Sequence, residues 1–67
     1  MNKFGDRLKE LREENNLTQT ALSKDVGYSQ SAIARWEAYS KTPNIEVAIK
    51  FAQYFKVSTD YLLGLED

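Results

Sequence analysis

The run from Thr18 to Glu37 constrains this chain more than any other, because it holds two helix starts and one forced turn in quick succession. Thr18 and Ser29 each precede a short helical pattern, and each hydroxyl can accept a hydrogen bond from an otherwise unpaired amide of the first turn. Gly27 follows Val26, at a place where a chain leaving a helix commonly needs a positive φ that only glycine adopts without a Cβ penalty. Leu22 and Val26 share one face of the first helix at i,i+4 spacing, and Ile33 and Trp36 share one face of the second at i,i+3, so the two apolar faces should meet. The outer face of the second helix is then left with Gln30, Ser31, Ala34 and Arg35. These are small or hydrogen-bonding side chains, a surface suited to the major groove of DNA.

The flanks read as further helices. Phe4, Leu8 and Leu11 recur at i,i+4,i+7, the stripe of an amphipathic helix over about residues 2–14 that Asn15-Asn16 ends. Leu17 enters the core. Residues 39–43 form a polar loop in which Pro43 blocks helix continuation. Asn44 is a good cap for a fourth helix whose apolar stripe is Ile45, Ala48, Ile49, Ala52 and Phe55, with Glu46 complementing the helix dipole. Ser58 caps a fifth helix with Asp60 in its first turn, after which Tyr61, Leu62 and Leu65 return to the core or to a partner. The sequence holds no internal repeat, low-complexity tract or strand pattern.

Composition narrows the function class. A chain of 67 residues, 42% hydrophobic, suits one domain burying roughly 60% of its unfolded surface. No stretch approaches a membrane span, and the start Met1-Asn2-Lys3-Phe4 has no apolar signal core, so a cytoplasmic location without membrane contact is expected. The absence of cysteine and histidine removes disulfides, thiol nucleophiles, the usual zinc sites and the commonest general base. Accordingly no cofactor, metal site or enzymatic activity is expected. The net charge of −1 runs against the basic footprint of a nucleic-acid binder. However, Glu13, Glu14, Asp60, Glu66 and Asp67 lie toward the first helix's end or the C-terminus, while Lys24, Arg35 and Lys41 are local to the second helix of the pair. The helix starts at Thr18 and Ser29 add partial positive charge that can be presented to a duplex.

The segment 18–38 resembles the helix-turn-helix of the Cro and repressor type, the XRE-like family of phage and bacterial transcription regulators. Phe4 to Arg12 resembles that family's first helix, and Val57 to Gly64 its closing segment. The resemblance implies an all-α, compact five-helix, lambda-repressor-like DNA-binding domain over residues 1–67. It also implies that the side chains matching Gln30, Ser31 and Arg35 reach base edges, glutamine pairing with adenine through its two-pronged amide. Ala34 is too short for a hydrogen bond, but its methyl can meet a thymine methyl. The residue matching Gln19 presents its amide to a phosphate and braces the first recognition residue.

Each assignment has a plainer counterpart. Gln30, Ser31 and Gln19 are also ordinary polar residues for a first helical turn, and Arg35 also suits a solvated surface, although Ser31 and Tyr39, four residues away on either side, offer it no carboxylate. Trp36, at its spacing from Ile33, is taken as core. Glu37 would repel phosphates if it faced outward; in the resemblance it turns inward and pairs with Arg12. Thr18, Ser29, Ser40, Lys41 and Asn44 lie where caps and the post-recognition loop would skim the DNA backbone, setting register without reading sequence. At Tyr39 the family usually has glycine, so the exit loop is expected to differ. Ser23 stands where the family commonly has alanine, and its hydroxyl can bond back to a carbonyl four residues earlier.

One recognition helix contacts only a few base pairs, so a homodimer on a double-stranded operator with half-sites about 34 Å apart is expected, acting as a repressor. Tyr61, Leu63 and Leu65 are the dimer candidates, with completion of the fold as their other use. The competing function is an antitoxin-like or other protein-binding helical module that holds a partner protein, with DNA binding secondary. The chain stops where longer family members pass into a linker and second domain, so it is either a short regulator or a fragment.

Overall fold

Five helices carry all the regular structure among the described residues: α1 (Lys3–Glu14), α2 (Gln19–Val26), α3 (Gln30–Ala38), α4 (Ile45–Phe55) and α5 (Thr59–Leu62). The computed structural model of the chain describes residues 3–38 and 43–66. Tyr39, Ser40 and Lys41, and with them the expected exit loop, lie outside those residues, as do Asn2 and Asp67. The all-α, five-helix architecture expected from the sequence is the one observed.

The ends of the helices follow from their caps. Thr18 Oγ1 accepts from the Ala21 amide at 3.0 Å, Ser29 Oγ from Ala32 at 3.1 Å, Asn44 Oδ1 from Val47 at 2.9 Å and Ser58 Oγ from Tyr61 at 2.9 Å. Each satisfies a first-turn amide that has no partner within its helix. At the other end, α1, α2, α4 and α5 are each followed by a left-handed residue: Asn16, Gly27, Lys56 and Gly64. Behind α1, the Leu17 amide donates to Arg12 O and the Asn16 amide to Glu13 O, so two last-turn carbonyls find donors as the chain reverses.

Phe51 is the hub of the core. It is fully buried, and its ring lies 6.2 Å from that of Phe4, 5.8 Å from Tyr28 and 5.6 Å from Trp36, so one residue of α4 touches aromatic groups of α1, the turn and α3. Leu8, Leu11, Leu22, Val26, Ile33, Val47, Ala52 and Leu62 complete the buried cluster. Trp36 packs against it, edge-on to Tyr28 at 5.2 Å, in keeping with its reading as a core residue.

The expected stripe of α4 requires correction. Ala48 and Ala52 are buried and Phe55 packs on the core, but Ile45 is 63% and Ile49 41% exposed, while Val47 and Phe51 take the interior. With apolar residues at 45, 47, 48, 49, 51, 52 and 55, the helix offers two overlapping stripes, and the face that meets the other helices contains Phe51. Ser23 also differs from expectation: its hydroxyl donates to Thr20 O, three residues back, at 2.7 Å.

The C-terminal segment is strapped to α1. Arg7 lies 4.2 Å over the Tyr61 ring and donates to Tyr61 O and Glu66 O. Gly64, at φ 79°, passes so near Lys3 that an added Cβ would clash with the Lys3 Cβ.

Candidate nucleic-acid interface

The turn between α2 and α3 sets the outward row. Gly27 at φ 81° ends α2, its amide donating to Ser23 O at 2.9 Å, and Ser29 opens α3 two residues later. Leu22, Val26 and Ile33 fall into one buried cluster, which fixes how α3 is rotated about its axis. Gln30, Ser31 and Arg35 are consequently exposed, and Ala34 is half-buried between that row and the core. Among the described residues the Arg35 side chain meets no ion-pair or hydrogen-bond partner.

Behind the row runs a chain of polar side chains crossing three helices. Arg12 Nε donates to Glu37 Oε2 at 2.7 Å and Arg12 Nη2 to Glu37 Oε1 at 3.1 Å, a two-pronged pair joining α1 to α3. Arg12 Nη1 also donates to Leu17 O at 2.8 Å. Glu37 Oε1 accepts a further bond from Gln19 Nε2 at 3.0 Å, and Gln19 Oε1 accepts from Gln30 Nε2 at 2.6 Å. The Arg12 and Glu37 side chains are 12% and 5% exposed, so the pair is largely withdrawn from water. The hydrogen bond to Glu37 raises the Arg12 pKa above its ordinary value, with burial opposing.

Glu37 therefore turns inward to Arg12, and Gln19 braces Gln30, as the resemblance implies. The sequence reading does not join Gln19 to Glu37. The available signal was chemical: a carboxylate has about four acceptor sites, more than one guanidinium fills, and Gln19 is the nearby donor at the start of α2. The capping oxygens of Thr18, Ser29 and Asn44 are engaged with their own helices, leaving the two hydroxyl hydrogens and the Asn44 amide as possible donors to an external group. Of the suggested dimer residues, Tyr61 and Leu63 are half-buried against the core, whereas Leu65 is 73% exposed. Among the described residues no helix is long and apolar enough to cross a membrane.

Comparison with known proteins agrees with this arrangement. A helix-turn-helix family profile matches residues 8–62. Over 64 residues the chain is 38% identical to the uncharacterized HTH-type transcriptional regulator YobD of Bacillus subtilis, covering 96% of this chain and 57% of YobD. It is 37% identical over 60 residues to repressor protein C2 of Salmonella phage P22, covering 90% of this chain and 28% of C2. The chain thus spans little more than half of one curated relative and under a third of the other. The crystal structure of the restriction-modification controller protein C.AhdI from Aeromonas hydrophila is similar with a TM-score of 0.78 at 28% identity, covering 90% of this chain and 91% of that one. On the profile match, the two-helix geometry and the shared fold, the chain belongs to the Cro- and repressor-type, XRE-like helix-turn-helix family.

Proposed function

We propose that residues 1–67 form a sequence-specific double-stranded DNA-binding unit of a cytoplasmic transcriptional regulator. It acts as a repressor, laying α3 in the major groove of a palindromic operator as a homodimer. The observation that carries the reading is the outward row Gln30, Ser31 and Arg35, held on a helix whose opposite face is locked into the core by Ile33. Gln30 and Arg35 have the chemistry to read base edges, Ser31 can donate or accept, and the half-buried Ala34 methyl meets a thymine methyl. Gln19, Thr18, Ser29 and Asn44, with Ser40 and Lys41, bind phosphates and set the register. Of the three dimer candidates, Leu65 is the exposed one and meets the partner subunit, with Tyr61 and Leu63 at its edge. An occupied operator excludes polymerase.

The net charge of −1 favours one competing reading, a protein-binding module whose DNA affinity is secondary. A salt titration separates the two. For the DNA reading, log K falls with log salt at a slope of about −0.9 per phosphate contact. On a duplex selected from a random pool, Arg35→Ala then costs about 1–3 kcal/mol and relaxes preference at one base pair. Weak binding with a flat salt response, and no effect of Arg35→Ala on base preference, would favour the protein partner.

A further inference from the structure

We propose that Glu37 is a positioning residue that fixes the amide polarity of Gln30 and through it the preference of Gln30 for adenine. The inference rests on the reading of α3 as the groove-facing helix. A side-chain amide has two nearly isosteric ends, and ordinarily either can face a neighbour. Here the choice is made at the far end of a chain. Both Glu37 oxygens face the prongs of Arg12 and accept from them, so Gln19 must offer its Nε2 to Glu37 Oε1, at 3.0 Å. That leaves Gln19 Oε1 facing Gln30, which must in turn present its own Nε2, at 2.6 Å. Reversing either amide would set oxygen against oxygen at one of these contacts. Gln30 is left with one N–H and Oε1 for an outside partner. A donor and an acceptor in one plane match the N7 acceptor and N6 donor of adenine, whereas the N7 and O6 of guanine both accept.

The test uses the full chain and a panel of duplexes differing only at the base pair whose identity ceases to matter in Gln30→Ala. The wild-type protein prefers adenine there by roughly 5- to 150-fold, the range of a good two-pronged contact. Glu37→Gln, which can present either oxygen or nitrogen to Gln19, lowers that ratio by about fivefold or more. Gln19→Met lowers it similarly while leaving the Arg12–Glu37 pair in place, so the inference stays testable if Glu37→Gln folds poorly. Arg12→Gln lowers the melting temperature but keeps the ratio, because the carboxylate still accepts from Gln19. The exchange of Gln19→Glu with Glu37→Gln restores the ratio although the ion pair with Arg12 stays broken. If Glu37→Gln and Gln19→Met both retain the wild-type ratio, or Arg12→Gln erases it equally, the relay is overturned while the groove reading stands. If Gln30→Ala changes the preference at no base pair, the groove reading falls and the relay with it.

Discussion

The two ends of this domain are held by different kinds of force. Between α1, α2 and α3 a line of four polar side chains, Arg12, Glu37, Gln19 and Gln30, runs from the interior to the surface, and each bond fixes the direction of one group. Around α4 the attachment is mainly apolar: Phe51, Val47, Ala48 and Ala52 are buried, and Ile45 and Ile49 remain in water on the other side. Polar chains orient single atoms, whereas apolar burial places a whole helix without regard to individual directions. A domain that must aim a few side chains while staying folded at this size has use for both. Phe51→Ala tests the apolar half most severely, with an expected loss of about 3–5 kcal/mol, a large part of the total stability of a small domain. Ile49→Ala, on the opposite face of the same helix, should stay within about 0.5 kcal/mol. Urea denaturation of both variants measures the contrast, and equal losses would mean that α4 turns a different face to the core.

Arg12→Ala probes the polar half at its innermost point. It removes both bonds to Glu37 and the bond to Leu17 O, and it leaves a largely buried carboxylate with Gln19 as its remaining partner. Such an orphaned charge costs more than an exposed ion pair is worth, and a loss of about 2–4 kcal/mol is expected in the same denaturation series. A loss below about 1 kcal/mol would place the pair in the surface class and remove its claim to join α1 to α3.

The contrast between the halves also explains what could be read in advance. Thr18, Gly27 and Ser29 each have one local solution, a cap or a left-handed exit, and so the motif and the outward row were legible from spacing alone. The inward turn of Glu37 followed from charge together with the family resemblance. In α4 the chain supplies more apolar residues than one face can bury, so periodicity admits two stripes; the choice between them was made by the aromatic rings of Phe4, Tyr28 and Trp36, which lie far from Phe51 in sequence. The Gln19–Glu37 bond has a related origin: the spare acceptor sites of a carboxylate call for a further donor, but which donor fills them is decided only when α2 packs beside α3. The strap from Arg7 to the C-terminal carbonyls is likewise invisible to helix patterning.

Smaller effects distinguish the two halves at their helix ends. Gly27 closes α2 at φ 81°, where an added Cβ would meet only Lys50 Nζ, at an ordinary contact distance of 4.0 Å, whereas Lys56 closes α4 at φ 59° with a full side chain. The left-handed conformation costs a non-glycine residue roughly 1–2 kcal/mol, part of which glycine's greater freedom in the unfolded chain offsets. Gly27→Ala should therefore lose about 1 kcal/mol without any clash, and Lys56→Gly should gain about 0.5–1 kcal/mol. Thermal melts of the two single variants and of the pair read this directly, and near-additivity is expected because the sites belong to different helix ends.

The smallest expected effect joins the halves. The Tyr54 hydroxyl of α4 donates to Asp25 Oδ2 of α2 at 2.6 Å, and that bond raises the tyrosine pKa, since losing the proton would abolish the bond and set a phenolate beside a carboxylate. The sign follows from the raised value: any stabilisation is fully present below the ordinary tyrosine pKa of about 10 and is lost as the pH rises through the higher folded value. Because Tyr54 lies at the surface, solvent screens the contact and the contribution is on the order of 0.5 kcal/mol or less. Urea midpoints of wild type and Tyr54→Phe should therefore differ slightly at pH 7 and converge above pH ~10. A gap that persisted into the alkaline range would assign the effect of the substitution to the edge-on packing of Tyr54 against Phe55, at 4.9 Å, and leave α2 and α4 joined by apolar contact alone.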